Sequence, residues 1–303
     1  MATPLTLQAR AKINLHLEVL GKLPSGYHAV ETLYHSIDLA DTLTFEPTRG
    51  GVVIECDDAA IPTGPDNLVA KAAHAFFRLT GVAGGLHVRI KKRIPVGAGL
   101  GGGSADAAAT LVALNQLFRT RYPTAVLERI GAGVGADVPF CVRGGAAWGV
   151  GTGTELTALP ATAGLRILIV NPGIHVDTAW AYRALRAEPL GRPRPRPRAL
   201  DEVAAILRSW RRGDLDARNS FEKPVFAAHP SVRTIRDRLR DHGGTAMMTG
   251  SGSTVFGVFR DENALSAARD AMSDQPFVES TSLVGRGIVD DAAHDLSTGA
   301  PTT

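Results

Sequence analysis

Two cysteines in 303 residues leave little room for cysteine chemistry. Cys56 and Cys141 form no metal-binding or redox spacing, and two thiols are too few for a disulfide framework. A reducing cytoplasm is the expected home. Long hydrophobic runs are missing as well. Apolar stretches such as residues 165–170 fall far short of the ~20 residues a membrane helix needs. The first residues lack the basic-then-apolar layout of a secretory signal. No membrane partner is expected. Charge of one sign is also lacking: 33 basic and 30 acidic residues give a formal net charge of +3. That balance carries no global nucleic-acid footprint, so no nucleic-acid partner is expected either. The one concentrated basic run, Arg192 to Arg198, alternates with proline and reads as an extended, solvated loop between helices. Lysine is scarce, only six of the 33 basic residues, so a lysine in an unusual place is informative. No cluster of His, Cys and Glu suggests a metal cage, and nothing fixes the oligomeric state; a monomer or a weak homodimer is expected.

Glycine is what the chain has. The stretch PVGAGLGGGSA runs from Pro95 to Ala105, with Gly97, Gly99, Gly101, Gly102 and Gly103 in seven positions. A strand-like run over 86–90 leads in and a helical run over 105–118 leads out. A strand, a glycine loop and a helix N-terminus make an anion site, most often for phosphate. Ser104 suits the helix cap and could donate to a phosphate or hold its metal. A ligand-free turn would not need five residues that each cost conformational entropy. A dinucleotide fingerprint fits formally, but no acidic residue stands at the end of a second strand about 20 residues on. A P-loop fails because no Lys-Ser or Lys-Thr pair closes the loop. A phosphate cradle of another type remains, with its lysine supplied from elsewhere.

The rest of the chain alternates strands and helices, an α+β pattern. Odd residues from Leu5 to Val19 are apolar and even ones from Thr6 to Glu18 polar, which predicts one or two strands with one buried face. Lys12 and Asn14 then share the other face, roughly 7 Å apart. That face is either solvated or looks into a cleft; periodicity does not separate the two. Strands are predicted near 42–47, 52–56, 165–170, 254–259 and 278–284. Helices are predicted over 67–79, 178–186, 201–211, 231–242 and 263–272. A first domain spans 1–157 and a second 158–290; residues 291–303 carry no periodicity and read as a disordered tail.

The glycine stretch resembles the central ATP-binding motif of the GHMP kinase superfamily. AKINL (11–15), SGYHAVETL (25–33), GADVPF (135–140) and TGSGSTVF (249–256) resemble, in order, further motifs of one branch of it. Members of that branch phosphorylate 4-diphosphocytidyl-2-C-methyl-D-erythritol on its 2-hydroxyl, in the non-mevalonate route to isoprenoid precursors. The resemblance implies a two-domain GHMP kinase fold, an N-terminal domain like ribosomal protein S5 domain 2 and a ferredoxin-like C-terminal domain, with the cleft between them. It implies ATP and Mg²⁺ as cofactors and a small-molecule substrate carrying cytidine diphosphate. Asp137 is implied as general base, against the plainer reading of a helix or turn cap, with Lys12 beside it to stabilise developing negative charge. Pro95, Val96, Gly97, Ala98, Gly99, Leu100, Gly101, Gly102, Gly103, Ser104 and Ala105, with Gly250, Ser251 and Gly252 of the second loop, are implied around ATP, and Ser104 near the metal. Asn14, Tyr27, His28, Thr178 and Tyr182 are implied around the acceptor. Tyr27 would stack on the pyrimidine and His28 read its edge, while 171–173 with Asp177 could add to the far wall. Another GHMP small-molecule kinase, for homoserine or mevalonate, and a non-catalytic nucleotide-binding protein on the same scaffold are the alternatives. The Tyr27-His28 pair speaks against the first, and the presence of both Lys12 and Asp137 against the second.

Overall fold

The computed structural model of the protein describes residues 4–160, 162, 165–185, 198–213 and 215–290. The expected tail 291–303 and residues 192–197 of the arginine-proline run lie outside the described residues.

The period-two run forms strand β1 (Leu5–Lys22), antiparallel to the long strand β2 (His28–Thr48). The pattern predicts one buried face, and the strand instead buries both. Register shifts interrupt the pairing between Arg10 and Lys12 and between Asn14 and His16. Such an irregularity reverses which side of the sheet the following residues face. Leu7 and Ala9 therefore pack under the N-terminal helices, whereas Ala11, Ile13 and Leu15 enter a core shared with the second sheet. Lys12, Asn14 and His16 between them are 3%, 2% and 0% exposed. The polar face is not solvated.

Strand β3 (Gly51–Cys56) lies parallel to β4 (Gly85–Lys91), joined by helix α1 (Leu68–Thr80). Asn67 starts that helix: its Oδ1 accepts from the Val69 N–H at 2.8 Å, one of the donors a helix start leaves unpaired. Helices α2 (Gly102–Leu117), α3 (Thr124–Ala132) and α4 (Val138–Arg143) complete the layer over the first sheet. Small Ala105, Ala107, Ala108 and Ala109 let α2 sit close to the strands. Strands β5 (Ala146–Val150) and β6 (Glu155–Leu159) extend the sheet from β2.

The second sheet holds β7 (Arg166–Asn171), β8 (Thr245–Met248), β9 (Val255–Phe259) and β10 (Phe277–Ser282) in the order β10-β7-β9-β8, every pair antiparallel. Three helices follow β7: α5 (Thr178–Leu185), α6 (Leu200–Arg212) and α7 (Glu222–Ala228). Then α8 (Pro230–Asp241) precedes β8, and α9 (Glu262–Ala271) joins β9 to β10. Without the three added helices this is the βαββαβ order of a ferredoxin-like unit. Helices α5, α7, α8 and α9 cover one face of the sheet. Helix α6 goes elsewhere: Val203, Ile206 and Trp210 join the core between the sheets, and Trp210 Nε1–H donates to Leu15 O at 2.9 Å. The chain finally returns to the first sheet, where β11 (Ile288–Asp290) pairs with β1. Among the described residues no helix is long and apolar enough to cross a membrane.

Candidate active site

Helix α2 begins inside the glycine run, with Gly101 as its N-cap and no side-chain cap. Ser104 therefore sits in the first turn and not at the cap position its residue type suggests. The amides of Gly102, Gly103 and Ser104 have no acceptor in the helix, while that of Ala105 is taken by Gly101 O at 2.9 Å. Two of these glycines leave little room for a side chain. Gly99 has φ +77°, and a Cβ there would stand 2.5 Å from Thr249 O. Gly101 has φ +72°, and its Cβ would lie 3.0 Å from the Lys12 chain. The Lys12 N–H donates to Leu100 O at 3.0 Å, which fastens the loop to β1. Ala98 and Leu100 turn their side chains into the core.

Asn14 holds the second glycine loop. Its Oδ1 accepts from the Gly250 N–H at 3.0 Å and the Thr249 hydroxyl at 3.3 Å, and its own N–H donates to Thr249 Oγ1 at 2.9 Å. Asn219 secures the far side, its amide donating to Met248 O at 2.8 Å and Gly250 O at 2.9 Å. The two loops thus face each other, one from each half of the chain.

Lys12 and Asp137 meet between them. The Lys12 ammonium donates to Asn14 Oδ1 at 2.8 Å and lies 3.2 Å from Asp137 Oδ2. Asp137 stands at the start of α4 without capping it. Its other oxygen, Oδ1, accepts from the Tyr34 hydroxyl at 3.2 Å. Burial, reinforced by the charge of Asp137, raises the Tyr34 phenol well above its usual range, so it stays a donor. Lys12 is nearly enclosed, its side chain 4% exposed, but that of Asp137 is 30% exposed and reaches the cleft.

The pair lines one cavity, and two others share lining residues with it. A central one of about 450 Å³ is lined by Lys12, Asn14, Tyr34, Ser104, Asp137 and Gly250, among others. One of about 500 Å³ runs along residues 94–99 and 101–104 to Asn67 and Leu68. The third, of about 940 Å³, opens between Tyr27, His28, residues 132–136 and Tyr182. Thr178 borders all three, and its hydroxyl is 3.0 Å from that of Ser251. At the hairpin tip Tyr27 is 70% exposed, while His28 stacks on Tyr182 with ring centres 4.7 Å apart. Burial, with Asp137 adding to it, pushes the Tyr182 phenol up to about 12. Leu100, Ala105 and Gly252 line none of the three cavities. Asn171 is spent inside the second domain, donating to Thr254 Oγ1 at 2.8 Å and accepting from the Gly173 N–H at 2.8 Å. Among the described residues there is no group of three or more His, Cys, Asp or Glu that could hold a metal ion.

Several residues of the site carried no sequence signal. Tyr34 is an ordinary strand residue until the fold brings it to Asp137; Thr249 opens the second glycine motif, but its bond to Asn14 is visible only in the fold. His175 packs against Gly97 from the other domain. A buried brace sits under the glycine loop: the Lys92 ammonium pairs with Asp41 and, at 2.8 Å, with Asp106 of α2. Asp41 also accepts from the N–H groups of Arg93 at 2.6 Å and Ile94 at 2.9 Å. It therefore holds the start of the loop directly and its end through Lys92. Arg198 is a correction as well. The run it closes reads as solvated, yet its side chain is 12% exposed and ion-paired to β1 and β2.

Two glycine loops facing across an interdomain cleft, with a lysine and an aspartate between them, define a GHMP kinase. Residues 67–145 match the model of the GHMP kinases N terminal domain and 198–278 that of the GHMP kinases C terminal domain. The chain is 43% identical over 272 residues to 4-diphosphocytidyl-2-C-methyl-D-erythritol kinase of Solibacter usitatus, covering 88% of this chain and 85% of that one. It is 44% identical over 259 residues to the enzyme of the same name from Moorella thermoacetica, covering 85% and 90%. A crystal structure of 4-(cytidine 5'-diphospho)-2C-methyl-D-erythritol kinase superposes with a TM-score of 0.79 at 35% identity, covering 92% of this chain and 99% of that one. Homoserine kinase from Cytophaga hutchinsonii shares the fold, with a TM-score of 0.73 at 19% identity over 95% and 98% of the two chains. The chain belongs to the 4-diphosphocytidyl-2-C-methyl-D-erythritol kinase family of GHMP kinases. As a member it is an ATP-dependent small-molecule kinase.

Proposed function

We propose that this kinase transfers the γ-phosphoryl group of ATP to the 2-hydroxyl of 4-diphosphocytidyl-2-C-methyl-D-erythritol, a step toward isoprenoid precursors. The observation that carries the reading is the Lys12–Asp137 pair, 3.2 Å apart in the central cavity, which shares lining residues with both the glycine-lined and the aromatic-lined cavity.

The triphosphate would lie along residues 95–104, its oxygens meeting the free amides of Gly102, Gly103 and Ser104 at the positive end of α2. Gly250 and Ser251 approach from the opposite side. The acceptor would enter from the third cavity, with its cytosine between Tyr27 and Tyr182 and the polar edge toward His28. Its tertiary hydroxyl then falls beside Asp137 Oδ2. Tyr34 donates to Oδ1 and the Lys12 ammonium lies 3.2 Å from Oδ2, so the proton would go to a remaining lone pair of the carboxylate. The new bond joins the 2-oxygen to the γ-phosphorus, the bond to the departing ADP breaks, and the hydroxyl proton goes to Asp137. Lys12 offsets the negative charge on the transferring group, and Asn14 keeps the ammonium in place through its 2.8 Å hydrogen bond. A crowded alcohol reacts only when held in line, so most of the rate comes from this positioning.

Mg²⁺ fits this donor set as an ion carried by the nucleotide. Ser104 borders both the central and the glycine-lined cavity and supplies a hydroxyl to it. When bound, the ion would neutralise phosphate charge while keeping several of its waters. Every residue invoked comes from one chain, so the reading needs no second copy. Both cysteines are unpaired, in keeping with work in the reducing cytoplasm. The test is ADP release with purified chain, ATP and each of three alcohols. Turnover is expected with the cytidyl substrate alone. Turnover with homoserine or mevalonate and none with the cytidyl substrate would reject the assignment.

A further inference from the structure

Glu18 of β1 and Glu31 of β2 are register partners. Like charges directly opposed across an antiparallel pair destabilise it. Glu31 is also 0% exposed, and a buried carboxylate needs a cation or several donors. Arg198 supplies the cation and one donor. Its Nη2 lies 2.6 Å from Glu18 Oε2 and its Nε 3.2 Å from Glu31 Oε2, while its backbone N–H donates to Glu31 Oε1 at 2.9 Å. One planar guanidinium therefore spans two strands, a geometry a lysine cannot copy. Arg218 adds a second cation on the outer side, 3.2 Å from Glu18 Oε1.

The arginine is itself held. Glu202 accepts from the Ala199 N–H at 2.7 Å at the start of α6, and Trp210 moors that helix to Leu15. Beyond the glutamate pair the hairpin runs out to its tip, with Val19 and Val30 as its last buried apolar pair. Tyr27 and His28 stand on that tip, His28 three residues before Glu31. An arm with so little core of its own takes its angle from what grips its base: the Val19 N–H donates to Ser220 Oγ at 3.0 Å, the Val30 N–H to Gly151 O at 2.8 Å, and Arg198 holds the glutamate pair.

We propose that Arg198 is a positioning residue for acceptor recognition: by bridging Glu18 and Glu31 it sets the hairpin arm so that Tyr27 and His28 face Tyr182. The inference rests on the reading of that tip as the cytosine site. It gives a role to the last residue of the arginine-proline run, which the catalytic reading leaves unused.

The experiment uses the full chain with Arg198→Met, Arg198→Lys, and Arg198→Met combined with Glu31→Gln. Amide hydrogen exchange and both KM values are measured. Arg198→Met should speed exchange across residues 17–32 and leave 95–105 unchanged. It should raise KM for the cytidyl substrate about 10-fold, with KM for ATP within about 2-fold, because the loss exposes two opposed carboxylates at one end of the cleft only. Arg198→Lys should fall between, and the double variant should recover part of the protection by removing the stranded charge. Unchanged exchange in the hairpin overturns the bridge. Faster exchange with an unchanged KM for the cytidyl substrate, or an equal rise in both KM values, overturns its part in recognition. A parent chain that does not bind the cytidyl substrate defeats the functional assignment instead, and the exchange measurement, which needs no substrate, still decides the bridge.

Discussion

In the proposed reading a ligand would meet main-chain amides at the nucleotide end of the cleft and rings at the base end. The first end is shaped by glycines whose missing side chains leave space already taken by Thr249 and Lys12. The second is shaped by Tyr27, His28 and Tyr182, one of them 70% exposed. Each end has an ionic brace beneath it with one cation between two carboxylates. The braces differ in how well their charges are satisfied. Lys92 is a point charge, and Asp41 already holds it together with two backbone amides. Asp106 is left with the excess: burial raises its carboxyl, and Lys92 only partly opposes that. At the base end Arg198 forks between its acids, and His16 and Arg218 stand by as further partners. There the Glu18 carboxyl is lowered to about 2, by His16, whose ring nitrogen stands 3.6 Å away, first and the two arginines after it, against the effect of burial. A phosphate cradle tolerates a tense brace because its shape is fixed by backbone sterics. An arm of side chains depends on its brace for aim.

The largest effect should come from the residue that belongs to neither end. Asp137→Asn removes the proposed proton acceptor but keeps its shape and its contact with Tyr34. Turnover should fall about 10²–10⁴-fold, while both KM values stay within a few-fold in steady-state assays. A variant that lost affinity for one ligand alone would move Asp137 to that end of the cleft.

Gly99→Ala comes next and should act on one end. The added methyl meets the Thr249 carbonyl, a backbone atom that cannot swing aside, in a left-handed conformation. Strain of about 1–3 kcal/mol should appear as roughly a 5–150-fold rise in KM for ATP with little change for the acceptor. Tyr27→Ala is the counterpart at the other end. Stacking is worth about 1–3 kcal/mol per base, and so exposed a ring sits at the lower half of that range, about 5–30-fold in KM for the cytidyl substrate. Tm should not move, since the ring adds little to any core. Equal losses of both ligands in either variant would erase the contrast between the ends.

These residues were also the ones legible beforehand. Glycine spacing points to a main-chain cradle because five residues without side chains let backbone amides approach a ligand closely, and Lys12, Asp137, Tyr27 and His28 sit inside ordered motifs. Periodicity over residues 5–19 announced one or two strands, which the fold joins into one over 5–22, but not its two buried faces, because an irregularity in register leaves no mark on an alternating pattern. Asp41 and Arg198 were hidden for another reason. A lone acid in a strand and an arginine beside prolines are ordinary surface residues in sequence. Only the fold shows that each is surrounded, and burial is what turns an ordinary charge into a brace.

The smallest effect concerns how the braces fail with pH. Glu18 has a folded value lowered from 4.5 to about 2. A carboxylate shifted down binds fewer protons folded than unfolded, so its contribution is complete above pH 4.5 and is lost as pH falls toward about 2. Asp106, shifted up, runs the other way: its contribution is complete in acid and is lost as pH rises. Acid should therefore loosen the base end before the nucleotide end. Thermal unfolding of the parent and Glu18→Gln across this range decides it. The variant, which has no proton to take up at this site, should show a shallower fall in Tm below pH 4.5, with the curves converging toward pH 2. Parallel curves would mean that Glu18 is no more tightly held in the fold than out of it, and the two braces would then be alike in the one property that separates them here.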